Sequence, residues 1–217
     1  MNIFQHKKEQ PWLHYTFENL LSYDLYEQLT TFPSNQFNLD EGNIESKEVI
    51  NTDTGYNTRN ESKDTYGDTI VHNIKEKNII DIFTDEKLIQ SIKNELNIDL
   101  RGKTVKAELF EMKKLYNPEI HLDRPSKLIT VLVYLKSDFL KETGTWLYNR
   151  DKTLHSKLDF IPNSGITFVN APKTWHRVPV MEKGTEYVRR SLLVTYRELP
   201  KLNYRDMVKY KNQIFIV

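Results

Sequence analysis

The sequence predicts an α+β protein that is mainly β, and three observations carry that reading. Helical periodicity is confined to the first half of the chain. After residue 103 the rhythm changes to short alternating stretches separated by turn residues. Helices gathered before a run of strands indicate α+β segregation rather than an alternating α/β order. The third observation is the strand count: eight short strands at this spacing fit two packed sheets, a cupin-like jelly roll or double-stranded β-helix.

The chain of 217 residues is long enough to bury a full core, and its hydrophobic share of 38% and charged share of 28% are those of a globular protein. A single domain over 1–217 is expected. Within it, 1–103 supplies an N-terminal strand and supporting helices, 104–197 the jelly-roll core, and 198–217 a C-terminal extension.

Trp12 to Phe17 alternates as a short strand. Ser22 is placed to cap a helix that carries Leu25, Leu29 and Phe32 on one face and stops at Pro33. Residues 51–68 are rich in Asn, Thr, Asp and Gly and lack apolar periodicity, which predicts a mobile loop. Asn73–Phe83 and Thr84–Asn97 read as helices. The second has Leu88, Ile92 and Leu96 on one stripe, Thr84 as cap, and Asp85 and Glu86 in its first turn.

Val105, Ala107, Leu109 and Glu111 then alternate with Lys106, Glu108 and Phe110. A short strand follows Asn117-Pro118 and carries His121. Lys127–Lys136 is apolar enough for a central strand. Thr145–Tyr148, Lys157–Ile161, Gly165–Val169, Thr174–Val180 and a long Tyr187–Arg197 complete the series.

Composition narrows the function. A net charge of +1 provides no whole-molecule field for nucleic acid or an anionic membrane. The absence of cysteine excludes disulfides, thiolate metal sites and cysteine nucleophiles. The polar Met1–Gln10 stretch lacks the apolar core of a secretion signal, and no run reaches membrane-spanning length. A cytoplasmic protein is expected, with no membrane partner. Neither a phosphate-binding glycine loop nor an aromatic-basic stripe is present to suggest nucleic acid.

The chemistry-bearing stretch is His121-Leu122-Asp123. Residues i and i+2 of a strand share a face, so His121 and Asp123 would point the same way. With 6 His and 30 acidic residues in the chain, about 0.8 such pairs arise by chance. The context therefore matters. His176, beside Trp175, would complete two imidazoles and one carboxylate, a facial set that suits non-heme Fe(II). On the last strand Arg189 shares a face with Ser191, and Arg190 has the other. A guanidinium facing a barrel interior needs an anion, but strand parity does not choose between the two arginines.

These pieces resemble the iron(II)/2-oxoglutarate-dependent dioxygenases, in the prolyl-hydroxylase-like branch. The resemblance covers about residues 104–197. It runs through His121-Leu122-Asp123, Lys127–Leu135, Gly144–Tyr148, Gly165–Val169, Trp175-His176 and Arg189–Tyr196. Two departures touch only loops: Thr143-Gly144 stands where many relatives have two glycines, and a polar turn, Glu182–Thr185, lies between His176 and Arg189.

The resemblance implies that His121, Asp123 and His176 ligate Fe(2+). It implies that Arg189, with Ser191 beside it, binds the distal carboxylate of the co-substrate 2-oxoglutarate, and that Tyr134 assists there. Tyr134 reads equally well as core. O2 would be the oxidant and ascorbate an accessory reductant. The implied reaction hydroxylates an amino-acid side chain in a peptide or protein, with release of succinate and CO2. The alternatives are a related oxygenase of a small molecule or sugar, and a non-catalytic jelly roll with Arg189 facing outward. No general base is implied, and His155 is read as a surface residue.

Overall fold

The structure is a computed structural model that describes residues 1–32, 69–74, 76–112, 119–138, 141–179, 188–199 and 215–217. It is mainly β. An eight-stranded sheet runs β1 (His6–Lys8), β2 (His14–Phe17), β8 (Ser164–Val169), β5 (Lys127–Ser137), β10 (Arg189–Arg197), β4 (Thr104–Met112) and β11 (Phe215–Ile216). The remaining strand, β3 (Thr69–Asn73), pairs with the other end of β4. A second sheet of three strands runs β7 (Leu154–Lys157), β6 (Trp146–Tyr148) and β9 (His176–Arg177).

Period-two alternation sorts the large sheet into two faces. Ile129, Val131, Val133 and Leu135 of β5 join Leu192, Val194 and Tyr196 of β10 and Val105, Ala107 and Leu109 of β4 in one core. Three helices cover this face: α1 (Tyr23–Thr31), α2 (Lys77–Phe83) and α3 (Glu86–Leu96). Their buried stripes supply Leu25, Leu29, Ile79, Ile80, Phe83, Leu88 and Ile92. A smaller core on the opposite face joins Trp12, Ile166 and Phe168 to Leu147 of the three-stranded sheet. A cavity lined by Phe110, Leu132, Phe168 and Leu193 lies on this second face.

Gly165 sets how closely β8 meets β5. A Cβ there would lie 1.9 Å from the Leu132 carbonyl oxygen and 2.7 Å from the Phe17 ring. No side chain fits between these strands.

Several sequence expectations are corrected. Asn73 ends β3 instead of opening a helix, because Thr69–Asn73 finds a backbone partner in β4, and α2 starts at Lys77. Asp85 caps α3, accepting from the amides of Lys87 and Leu88, while the Thr84 hydroxyl turns back to the Ile80 carbonyl. Ser22 precedes α1 as expected, yet its side chain makes no capping bond. The strand expected at Lys157–Ile161 lies earlier, at Leu154–Lys157. Phe160, fully buried, packs its ring on Tyr134 instead of extending a ladder. The strand expected around His121 is a single bridge to His176, and the strand around His176 has two residues. The expected loop at 51–68, Pro33, Tyr187 and most of the tail lie outside the described residues. Of the tail, Phe215–Ile216 forms an edge strand on β4.

Candidate metal centre

Two backbone hydrogen bonds join the segments that carry the imidazoles. The amide of His121 donates to the carbonyl of His176, and that of His176 to the carbonyl of His121, each at 3.1 Å. The rings stand 4.5 Å apart between centroids. Asp123 follows two residues after His121 on the same side. Among the described residues, His121, Asp123 and His176 form the one group of three whose ligand atoms lie within 4.8 Å of one another.

The local structure selects which ring nitrogen faces the group. His121 Nδ1 lies 2.9 Å from the Glu119 carbonyl oxygen, and His176 Nδ1 lies 2.9 Å from that of Thr174. A carbonyl only accepts, so each Nδ1 carries the proton and each Nε2 keeps a lone pair. This is the usual arrangement behind a metal-bound imidazole. Burial lowers the pKa of both rings; His176, next to the His121 ring, falls to about 4. Both are therefore neutral near pH 7 and able to donate to a cation.

Asp123 is buried, which by itself opposes ionisation. The ammonium of Lys127 and the neighbouring His176 outweigh burial and hold the carboxyl well below the usual carboxylate range. Lys127 Nζ donates to Oδ1 at 2.8 Å and the Thr130 hydroxyl to Oδ2 at 2.6 Å. Both oxygens are thus oriented, and each retains a further lone pair. Sequence reading missed Lys127 and Thr130 as site residues.

The centre opens on a cavity of about 110 Å³. Phe110, Leu132, Phe168 and Leu193 give it apolar walls, and Arg189, Ser191 and Thr145 are among its polar lining. Arg189 faces in, resolving the ambiguity between the two arginines. Its Nε donates to the Thr143 carbonyl at 3.3 Å, and its guanidinium lies 5.1 Å from the Phe160 ring centre and 5.8 Å from that of Tyr134. Ser191 is buried on the same face of β10.

Tyr134 sits behind this wall. Its hydroxyl donates to Thr145 Oγ1 and accepts from the Thr145 amide, both at 2.8 Å. The tyrosine therefore supports Arg189 with its ring and positions Thr145, which lines the cavity. Arg190 is turned the other way. It pairs with Glu111 and donates to the carbonyls of Leu29, Thr30 and Phe32 at the end of α1. His155, expected at the surface, is exposed on β7.

No protein-family model and no curated protein matches this chain. Solved structures do. A prolyl-4-hydroxylase from Pseudomonas putida superposes with a TM-score of 0.55 at 15% identity, over 86% of this chain and 93% of that one. A dioxygenase for auxin oxidation from Arabidopsis thaliana, solved with 2-oxoglutarate, superposes with a TM-score of 0.54 at 14% identity, over 88% and 85%. At these identities the likeness is one of fold.

Proposed function

We propose that this protein is an Fe(II)- and 2-oxoglutarate-dependent dioxygenase that hydroxylates an amino-acid side chain, releasing succinate and CO2, on a double-stranded β-helix. The observation that carries the reading is the convergence of two neutral imidazoles and one ionised carboxylate at the end of a cavity that also contains a buried arginine. The fold likeness to a prolyl-4-hydroxylase supports it.

The residues fit the metal. His121 and His176 would bind it through Nε2 and Asp123 through a carboxylate oxygen, a set that leaves coordination positions open. With iron present, the chemistry supplied is oxidative decarboxylation of 2-oxoglutarate coupled to oxygenation of a substrate C–H bond. This chain's residues do the holding. Arg189 and Ser191 would receive the distal carboxylate of 2-oxoglutarate, and the rings of Phe160 and Tyr134 keep that guanidinium in place. Lys127 and Thr130 hold Asp123 in one orientation. The apolar walls shield the reacting centre from water.

The inward Arg189 argues against a non-catalytic jelly roll, which would leave that arginine at the surface. A second reading keeps the same chemistry and takes a small organic substrate. The fold shared with the auxin dioxygenase favours it. The test is succinate formation from 2-oxoglutarate by anaerobically loaded protein given O2. Turnover that disappears in His176→Ala supports the dioxygenase. Retention of neither iron nor 2-oxoglutarate by the purified protein would sink it.

A further inference from the structure

The alternation of β5 breaks at its first residues, and the break aims a lysine into the site. Ile129 faces the helix-side core, and Leu128 packs against the same core. The pairing with β10 shifts between Tyr196↔Ile129 and Arg197↔Lys127, a bulge-type irregularity. Bulges re-aim the side chains beside them. Here Lys127 ends up in the cavity wall, 8% exposed, with its ammonium on Asp123. An ammonium has three N–H donors, and Asp123 takes one.

Lys127 does not stand alone. Glu108 lines the same cavity and carries Lys106 at 2.6 Å and Arg197 at 3.8 Å. Arg197 is opposite Lys127 in the sheet. Glu108 is thus balanced by Lys106 and Arg197, and in the cavity wall Lys127 faces Asp123. A metal on Asp123 adds further positive charge. The distal carboxylate of 2-oxoglutarate is matched separately by Arg189. The metal would take up the Asp123 charge that offsets Lys127, and a buried cation is costly without an anion, so Lys127 calls for one more negative group.

We infer that the substrate carries an oxyanion, a carboxylate or phosphate, which the spare donors of Lys127 hold next to the metal. The inference rests on the dioxygenase reading and names its substrate class. A substrate fixed by its charged end presents a neighbouring carbon to the reacting centre, and an acidic peptide side chain and a free organic acid both satisfy this chemistry.

The experiment is calorimetric titration of benzoate, phenyl phosphate and benzamide into protein saturated with Mn(II) and 2-oxoglutarate. The three probes share a ring and differ in charge. Either anion is expected to bind about tenfold or more tightly than the neutral amide. Preference for benzoate identifies a carboxylate, and preference for phenyl phosphate a phosphate. In Lys127→Met the preference should fall to about one, and in Lys127→Arg, which keeps the charge, it should persist. Equal binding of all three probes, absence of saturable binding by either anion, or a preference unchanged in Lys127→Met overturns the inference. Failure to bind Mn(II) and 2-oxoglutarate at the outset would instead remove the dioxygenase reading, and the same titration of metal-free protein would still decide the role of Lys127.

Discussion

Arg189 and Arg190 are chain neighbours that serve opposite faces of one sheet. Arg189 lines the cavity with its guanidinium over Phe160, whereas Arg190 pairs with Glu111 and closes the carbonyl end of α1. Strand alternation separates a cavity-facing arginine from a folding arginine within two residues.

Their substitutions should therefore fail differently. Arg189→Met is expected to weaken 2-oxoglutarate at least tenfold, the loss of charge-assisted hydrogen bonds, with little change in metal affinity. Arg190→Met leaves Glu111 buried without its guanidinium and is expected to cost about 3–5 kcal/mol of stability. Calorimetry on the first and urea unfolding of both would separate them. A normal 2-oxoglutarate affinity in Arg189→Met contradicts the assigned role.

The proposed metal centre should respond in graded fashion. Asp123→Ala or His121→Ala should abolish Mn(II) binding and succinate formation together. Thr130→Val removes one hydrogen bond to the carboxylate and should weaken metal about tenfold while the ligands remain. Unaltered Mn(II) affinity in Asp123→Ala would show that the centre lies elsewhere.

Acid should destabilise the metal-free protein in a defined window. The pKa of His176 is lowered from 6.5 to about 4, and burial lowers His14 and His121 as well. Between those pH values the unfolded chain binds protons that the folded chain refuses, so stability rises with pH. Above about pH 6.5 these rings are neutral in both states and the dependence ceases. Denaturation midpoints from pH 4 to 8 should fall on the acid side. A flat profile there means the imidazoles protonate without unfolding.

Gly165→Ala tests the fit of β8 against β5. The added methyl meets the Leu132 carbonyl oxygen, a backbone atom that moves only with its strand. Overpacking of this kind costs about 1–3 kcal/mol or more. Because β8 carries Phe168 beside His176, metal affinity should fall as well. Thermal unfolding with and without Mn(II) measures both effects.

Much of the centre was legible from local rules. The i, i+2 spacing of His121 and Asp123 placed them together, and alternation from Val105 to Glu111, the apolar run Lys127–Lys136 and the long final stretch Tyr187–Arg197 marked the strands that carry the cavity. Errors arose where long-range partners decide. Thr69–Asn73 is a strand because β4 is there to pair with it, and Lys157–Ile161 reads like a strand but leaves the ladder at Lys157, with Phe160 stacked on Tyr134.

The sequence alone determined the mainly β class, the three side chains that converge beside the cavity and the pair of arginines from which one would face inward, because these depend on residue type and on the short periods of helix and strand. Only the tertiary structure decided that Arg189 is the inward one, that the Tyr134 hydroxyl is committed to Thr145, and that Lys127 joins Asp123 in the site. Parity predicts alternation but not its phase. A register shift between β5 and β10 reverses that phase for residues beside it, and it exists only once the two strands have paired.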